Sequence, residues 1–182
     1  GAQEYYNVQP DFCTLGKVIG GGFPLAAITG SAEIMQHFDK SKVGAGGFLM
    51  QLGTLSGNPV ASVAGLKTME VLKKENLHYK MYADGKRLMN IFKKKLDDTG
   101  INFRIVGHET LFDIVFTEKP IENFRDYIGA DPDIYNKFND VLRLNGFFKP
   151  PGKIYVSAIL SEEDFEMAET AITKAVEEIQ KA

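Results

Sequence analysis

The chain has 182 residues, enough for a real core, with 44% hydrophobic, 25% charged and 11% aromatic side chains. A formal charge of −3 offers no electrostatic grip on nucleic acid or an anionic membrane, and no apolar run approaches transmembrane length. One cysteine, Cys13, excludes an internal disulfide and fits a reducing, cytoplasmic setting, and His37, His78 and His108 stand too far apart for a metal motif.

The opening GAQEYYNVQPD carries neither the basic nor the apolar block of a signal peptide and no initiator methionine, so a fragment or a trimmed terminus is expected. Phe12 to Ile19 is apolar-leaning and bounded by Pro10-Asp11 and a glycine run, which predicts a strand ending in a turn, with Cys13 a buried, inert thiol. FPLAAITG predicts a second short buried strand, with Pro24 at its start. SAEIMQHFD predicts a short helix capped by Ser31. KVGAGGFLM, with Gly44, Gly46 and Gly47, reads as a surface loop.

A helix is expected from Asn58-Pro59, with small residues Ala61, Ala64 and Gly65 allowing close approach and Leu66, Met69 and Leu72 continuing its apolar stripe. Leu77 to Leu96 follows as an amphipathic helix, with Lys93-Lys94-Lys95 on its solvent face. NFRIVGHETLFDIVFTEK alternates like two strands joined around Gly107 to Thr110. DPDIYNKFNDVLRLNGFF predicts a helix capped by Asp131 and ending near Asn145-Gly146, and KIYVSA a third strand. The last segment predicts a helix capped by Ser161, burying Phe165, Ala168, Ile172, Val176 and Ile179. Two parts emerge: glycine-rich loops around short strands over residues 1–75, and an α+β unit over 76–182.

Two stretches can carry chemistry. Lys17 stands between an apolar segment and Gly20-Gly21-Gly22; partial desolvation would lower its pKa and free a neutral amine to attack a carbonyl. On spacing alone a lysine before a glycine turn is more often a surface lysine than one that forms an imine. In GTLSGNP, Gly53 and Thr54 precede a helix, where N–H groups and a hydroxyl suit a phosphate, or else the turn is ordinary and Ser56 or Asn58 simply caps the helix. No Gly-Lys-Ser/Thr closes that loop, and the glycine triplet lacks dinucleotide-fingerprint spacing.

Taken together and in order, PDFCTLGKVIGGGFPLAAITG and GTLSGNPVASVAG resemble the second half of class III aminotransferases, which are fold-type-I pyridoxal phosphate enzymes. NGFFKPPGKIYVSAILSEEDFEMAETAI resembles their C-terminal strand and closing helix, so the likeness covers essentially the whole chain. The branch it most resembles includes glutamate-1-semialdehyde 2,1-aminomutase and true transaminases. The resemblance implies an α/β fold: residues 1–75 as the C-terminal portion of the cofactor-binding large domain, and 76–182 as the small C-terminal α+β domain. It matches Lys17 to the lysine that binds pyridoxal 5′-phosphate covalently and moves the substrate proton. It matches Thr54, with Gly53 as backbone partner, to the cofactor-phosphate contact of a neighbouring subunit, and so implies a homodimer.

The expected activity is transfer of an amino group from a small-molecule donor to a carbonyl acceptor. The alternatives are an aminomutase, which moves nitrogen within one molecule, and a non-catalytic remnant. Family members are more than twice this length, so the N-terminal half is the expected partner of these residues. That half should hold the carboxylate for the pyridine nitrogen, and Asp11 matches a structural position instead. Lys149 to Lys153 contains lysines where many members use an arginine for a substrate carboxylate, so substrate recognition is expected upstream.

Overall fold

Residues 1–74 and 76–181 are described by the computed structural model, and they fall into two units, Gly1–Glu75 and Asn76–Ala182. In the first unit, helix α1 (Ala2–Tyr5) precedes an antiparallel ribbon of β1 (Phe12–Leu15) and β2 (Ala27–Gly30), with Phe12 opposite Gly30 and Leu15 opposite Ala27. The strand expected to run to Ile19 stops at Leu15. Lys17 takes φ +55°, which ends extended backbone and opens a 3-10 turn over Lys17–Gly20. The burial expected of β2 and Cys13 is not met among the described residues: Ile28 is 39% exposed and Cys13 partly exposed in a ribbon of only two strands.

Helix α2 (Ala32–Met35) is capped by Ser31, whose Oγ accepts from the Ile34 N–H at 3.4 Å. The segment read as a loop instead forms α3 (Lys40–Gly47), broken at Gly44 with φ +69°. Its caps outweigh its glycines: Asp39 accepts from the Ser41 N–H at 3.0 Å, and His37 Nδ1 lies 2.7 Å from the Gly47 carbonyl oxygen.

Helix α4 (Pro59–Lys74) starts as expected, with Asn58 Oδ1 accepting from the N–H groups of Val60 at 2.9 Å and Ala61 at 3.1 Å. Its buried face is the small-residue one, Ala61 and Gly65. Leu66 is 66% exposed and Met69 37%, so the stripe does not continue through them. A Cβ on Gly65 would come within 2.9 Å of the Ile19 carbonyl oxygen and strike the Leu25 side chain. The helix therefore packs directly on the glycine turn.

The second unit runs α5 (Leu77–Asp97), β3 (Arg104–His108), β4 (Leu111–Val115), α6 (Phe124–Ile128), α7 (Pro132–Leu144), β5 (Ile154–Tyr155) and α8 (Glu162–Ile179). Its antiparallel sheet has the order β3-β4-β5, with Arg104 opposite Val115 and Phe112 opposite Ile154. Phe92 of α5, Phe112 of β4, Phe138 of α7 and Ile172 of α8 share one core, each at most 2% exposed. The caps read from the sequence form: Asp131 accepts from the Asp133 and Ile134 N–H groups, and Ser161 and Asp164 make a capping box. Helix α6, not expected, begins with a second capping box, Asn123 and Asp126. Strand β5 has two residues where six were expected.

Candidate functional site

Lys17 is the first residue of the 3-10 turn, immediately after β1 and the extended Gly16. Its left-handed backbone is uncommon for a side chain of this size, and such outliers persist where surrounding structure fixes them. Here the glycines do the fixing. Gly21, at φ +57°, lies against α4 so closely that a Cβ would strike the Thr68 hydroxyl and come within 3.4 Å of the Ala64 carbonyl oxygen. The Gly21 N–H closes the turn on the Val18 carbonyl at 3.1 Å. The partly desolvated setting considered for Lys17 is not found: its side chain is exposed, with no hydrogen bond or ion pair among the described residues.

Gly53 and Thr54 lie at the turn leading into α4, and both are exposed. The Ser56 N–H donates to the Gly53 carbonyl at 2.9 Å, and Gly57 takes φ +72°. A Cβ on Gly53 would come within 2.7 Å of Ser56 Oγ. Asn58 caps the helix, as the ordinary-turn reading allows, and the Thr54 hydroxyl lies outside the cap. The Lys17 turn meets α4 near Gly65, about 9 Å along the axis from Pro59 at ~1.5 Å per residue. No hydrogen bond or ion pair joins Lys17 to Gly53 or Thr54 among the described residues.

In the second unit an unforeseen cluster lies beneath the PPG turn. Lys149 Nζ is 2.9 Å from Asp113 Oδ1, and their side chains are only 5% and 7% exposed. The Tyr135 hydroxyl donates to Asp113 Oδ2 at 2.7 Å. Burial, then the hydrogen bond to Asp113 and its negative charge, push the Tyr135 phenol far above its ordinary pKa. The sequence signal was a lone aspartate inside an apolar strand, LFDIV, which demands a buried partner. Lys149, one of the lysines noted at this turn, is thus committed to an internal pair.

This mixed α/β fold is shared with solved transaminases. An omega-transaminase from Sphaerobacter thermophilus aligns with a TM-score of 0.88 at 28% identity, over 99% of this chain and 41% of that one. The family model Aminotransferase class-III matches residues 1–146, and the chain belongs to that family. Among curated relatives, the glutamate-1-semialdehyde 2,1-aminomutase of Methanosarcina acetivorans is 36% identical over 91% of this chain and 38% of its own length. Its namesake from Methanosphaera stadtmanae is 36% identical over 100% of this chain and 42% of its own. The chain thus spans about two fifths of the relatives it matches.

Proposed function

We propose that these residues serve a pyridoxal phosphate-dependent aminotransferase, which moves an amino group from a small-molecule donor to a carbonyl acceptor, and that they act with further chain of the kind the relatives carry. The observation that carries this reading is the lysine itself: a primary amine presented at a constrained backbone position, by a turn that glycines seat on α4, in a member of the class III family. The donor set suits the cofactor. An exposed amine can reach an aldehyde, and an exposed threonine hydroxyl beside glycine backbone, ahead of a helix start, can reach a phosphate.

Bound pyridoxal phosphate supplies an aldehyde carbon and a ring that stabilises negative charge at the substrate α-carbon. Lys17 Nζ would hold the cofactor through that aldehyde and, from the same position, would act as general base toward the proton on the donor α-carbon. Thr54 Oγ1, with the Gly53 backbone, would hold the phosphate. The class III likeness of the GTLSGNP stretch favours Thr54 serving a second copy, hence a homodimer. On the same reading, residues 1–75 complete the large cofactor-binding domain and 76–182 form the small C-terminal domain. We place the enzyme in the cytoplasm, where a free thiol such as Cys13 persists.

A second reading, intramolecular transfer, is favoured by the names of the curated relatives. Both are tested on the full-length enzyme. Borohydride reduction should fix the cofactor to the peptide containing Lys17. Amino donors should bleach the visible band, and a separate carbonyl acceptor should restore it. Label on another lysine would overturn the assignment of Lys17. Turnover of glutamate-1-semialdehyde, with no nitrogen passed to a separate acceptor, would favour the aminomutase.

A further inference from the structure

Three segments of the second unit meet at one hydroxyl. Tyr135 on α7 donates to Asp113 on β4 at 2.7 Å, and its oxygen accepts from Lys149 Nζ at 3.1 Å and from the Gly152 N–H at 2.6 Å. A phenol has one proton to give and two lone pairs to offer, so this hydroxyl is fully used. Lys149 and Gly152 bracket the turn Lys149–Gly152, and Gly152, at φ +75°, aims its N–H inward. The remaining face of Asp113 is taken by Lys149 at 2.9 Å.

That turn leads straight into β5, which needs outside help. Its ladder pairs two residues, Tyr155 opposite Leu111 and Ile154 opposite Phe112, and the Val156 N–H adds one bond to the Thr110 carbonyl at 3.2 Å. Ile154 is 2% exposed and Tyr155 62%, so a slip of one residue would exchange the core residue for the solvent one. So short a ladder opposes that slip with few backbone bonds of its own. A buried ion pair contributes little net stability against well-packed apolar side chains, but it penalises arrangements that separate its charges.

We propose that Asp113, Tyr135 and Lys149 form a latch that holds the Lys149–Gly152 turn on β4 and α7 and thereby sets the register of β5. Closed, the latch keeps Ile154 in the core. Open, it frees the turn and unpairs β5 while the helices keep their own packing. Lys149 is occupied inside the closed latch and is not a cation this turn can offer to an anionic ligand.

Hydrogen exchange on the full-length protein tests this, peptide by peptide. Tyr135→Phe removes the hydroxyl and keeps the Asp113–Lys149 pair. It should speed exchange across 149–156 by at least about tenfold, since the turn loses its bonds from Lys149 and Gly152 to the hydroxyl, with α5 and α8 unchanged. Lys149→Met should speed the same segment further; if it fails to fold, Tyr135→Phe carries the test alone. Arg87→Gln, which breaks the exposed Arg87–Glu162 pair, should leave 149–156 as in the parent. Unchanged protection of 149–156 in Tyr135→Phe overturns the latch, and so does an equal loss of protection throughout the unit. The readout needs no cofactor, so a failed aminotransferase reading leaves this result standing.

Discussion

Lys17 and Tyr135 are opposite cases of one rule, that surroundings decide what a polar side chain does. Lys17 is exposed and held only through its backbone, so removing its side chain should cost function without cost to the fold. Lys17→Ala is expected to lower turnover by at least about 10²-fold to 10⁴-fold, the range of a lost general base. The melting temperature of the cofactor-free variant should stay within about a degree or two of the cofactor-free parent, because an exposed truncation is worth at most ~0.5 kcal/mol. Parallel kinetics and thermal melts check both halves. Tyr135 is the reverse, half-buried and facing Asp113, Lys149 and the Gly152 N–H. Its folded pKa is raised, so folding favours the protonated phenol. Above about pH 10 the unfolded phenol ionises while the folded one does not, and stability falls as pH rises. That contribution is fully present below pH ~10 and declines by at most about 1.4 kcal/mol per pH unit above it. Denaturant titrations between pH 9 and 11 should show a steeper alkaline loss for the parent than for Tyr135→Phe. Equal slopes would contradict the buried-phenol assignment.

At the scale of elements, α4 and the glycine turn behave as one piece. Gly65→Val would press a branched side chain into Leu25 and the Ile19 carbonyl, at a cost of about 1–3 kcal/mol for overpacking. It should also weaken cofactor capture at Lys17, two residues from Ile19 along the chain. A cofactor titration beside a thermal melt checks the coupling, and unchanged affinity in a folded variant would argue against the turn as the positioning device. The same elements show what could be read from the sequence. Helices α7 and α8 were plain because Asp131 and Ser161 announce their starts and an apolar stripe follows. The Lys17 and Gly53-Thr54 stretches were singled out by unusual residues, and their exposure could not be read, since it depends on what packs around the ribbon. Helix α3 was hidden by its glycines, whose cost is offset by Asp39 and His37. Strand β1 reads longer in the sequence than it is, because nothing local announces a left-handed Lys17. The Asp113 cluster joins residues up to 36 positions apart, a distance no local pattern reports.

For the whole molecule, the first unit leaves much apolar surface open: Val18 is 73% exposed, Leu52 75%, Val63 65% and Leu66 66%. Such surface is characteristic of regions that another chain or further domain covers. If Thr54 serves the cofactor site of a second copy, subunits with different lesions should complement each other. In a mixed dimer of Lys17→Ala and Thr54→Ala chains, one site collects both lesions. The other combines an intact Lys17 with the intact Thr54 of its partner. Random reassortment makes half the dimers mixed, each with one sound site in two, so about a quarter of the parent activity should return. If instead Thr54 acts on the Lys17 of its own chain, every site carries one lesion and mixing restores nothing. Unfolding and refolding the two variants together, then assaying against each refolded alone, separates these outcomes. It does so without knowledge of the physiological donor, since any accepted donor reports the same ratio.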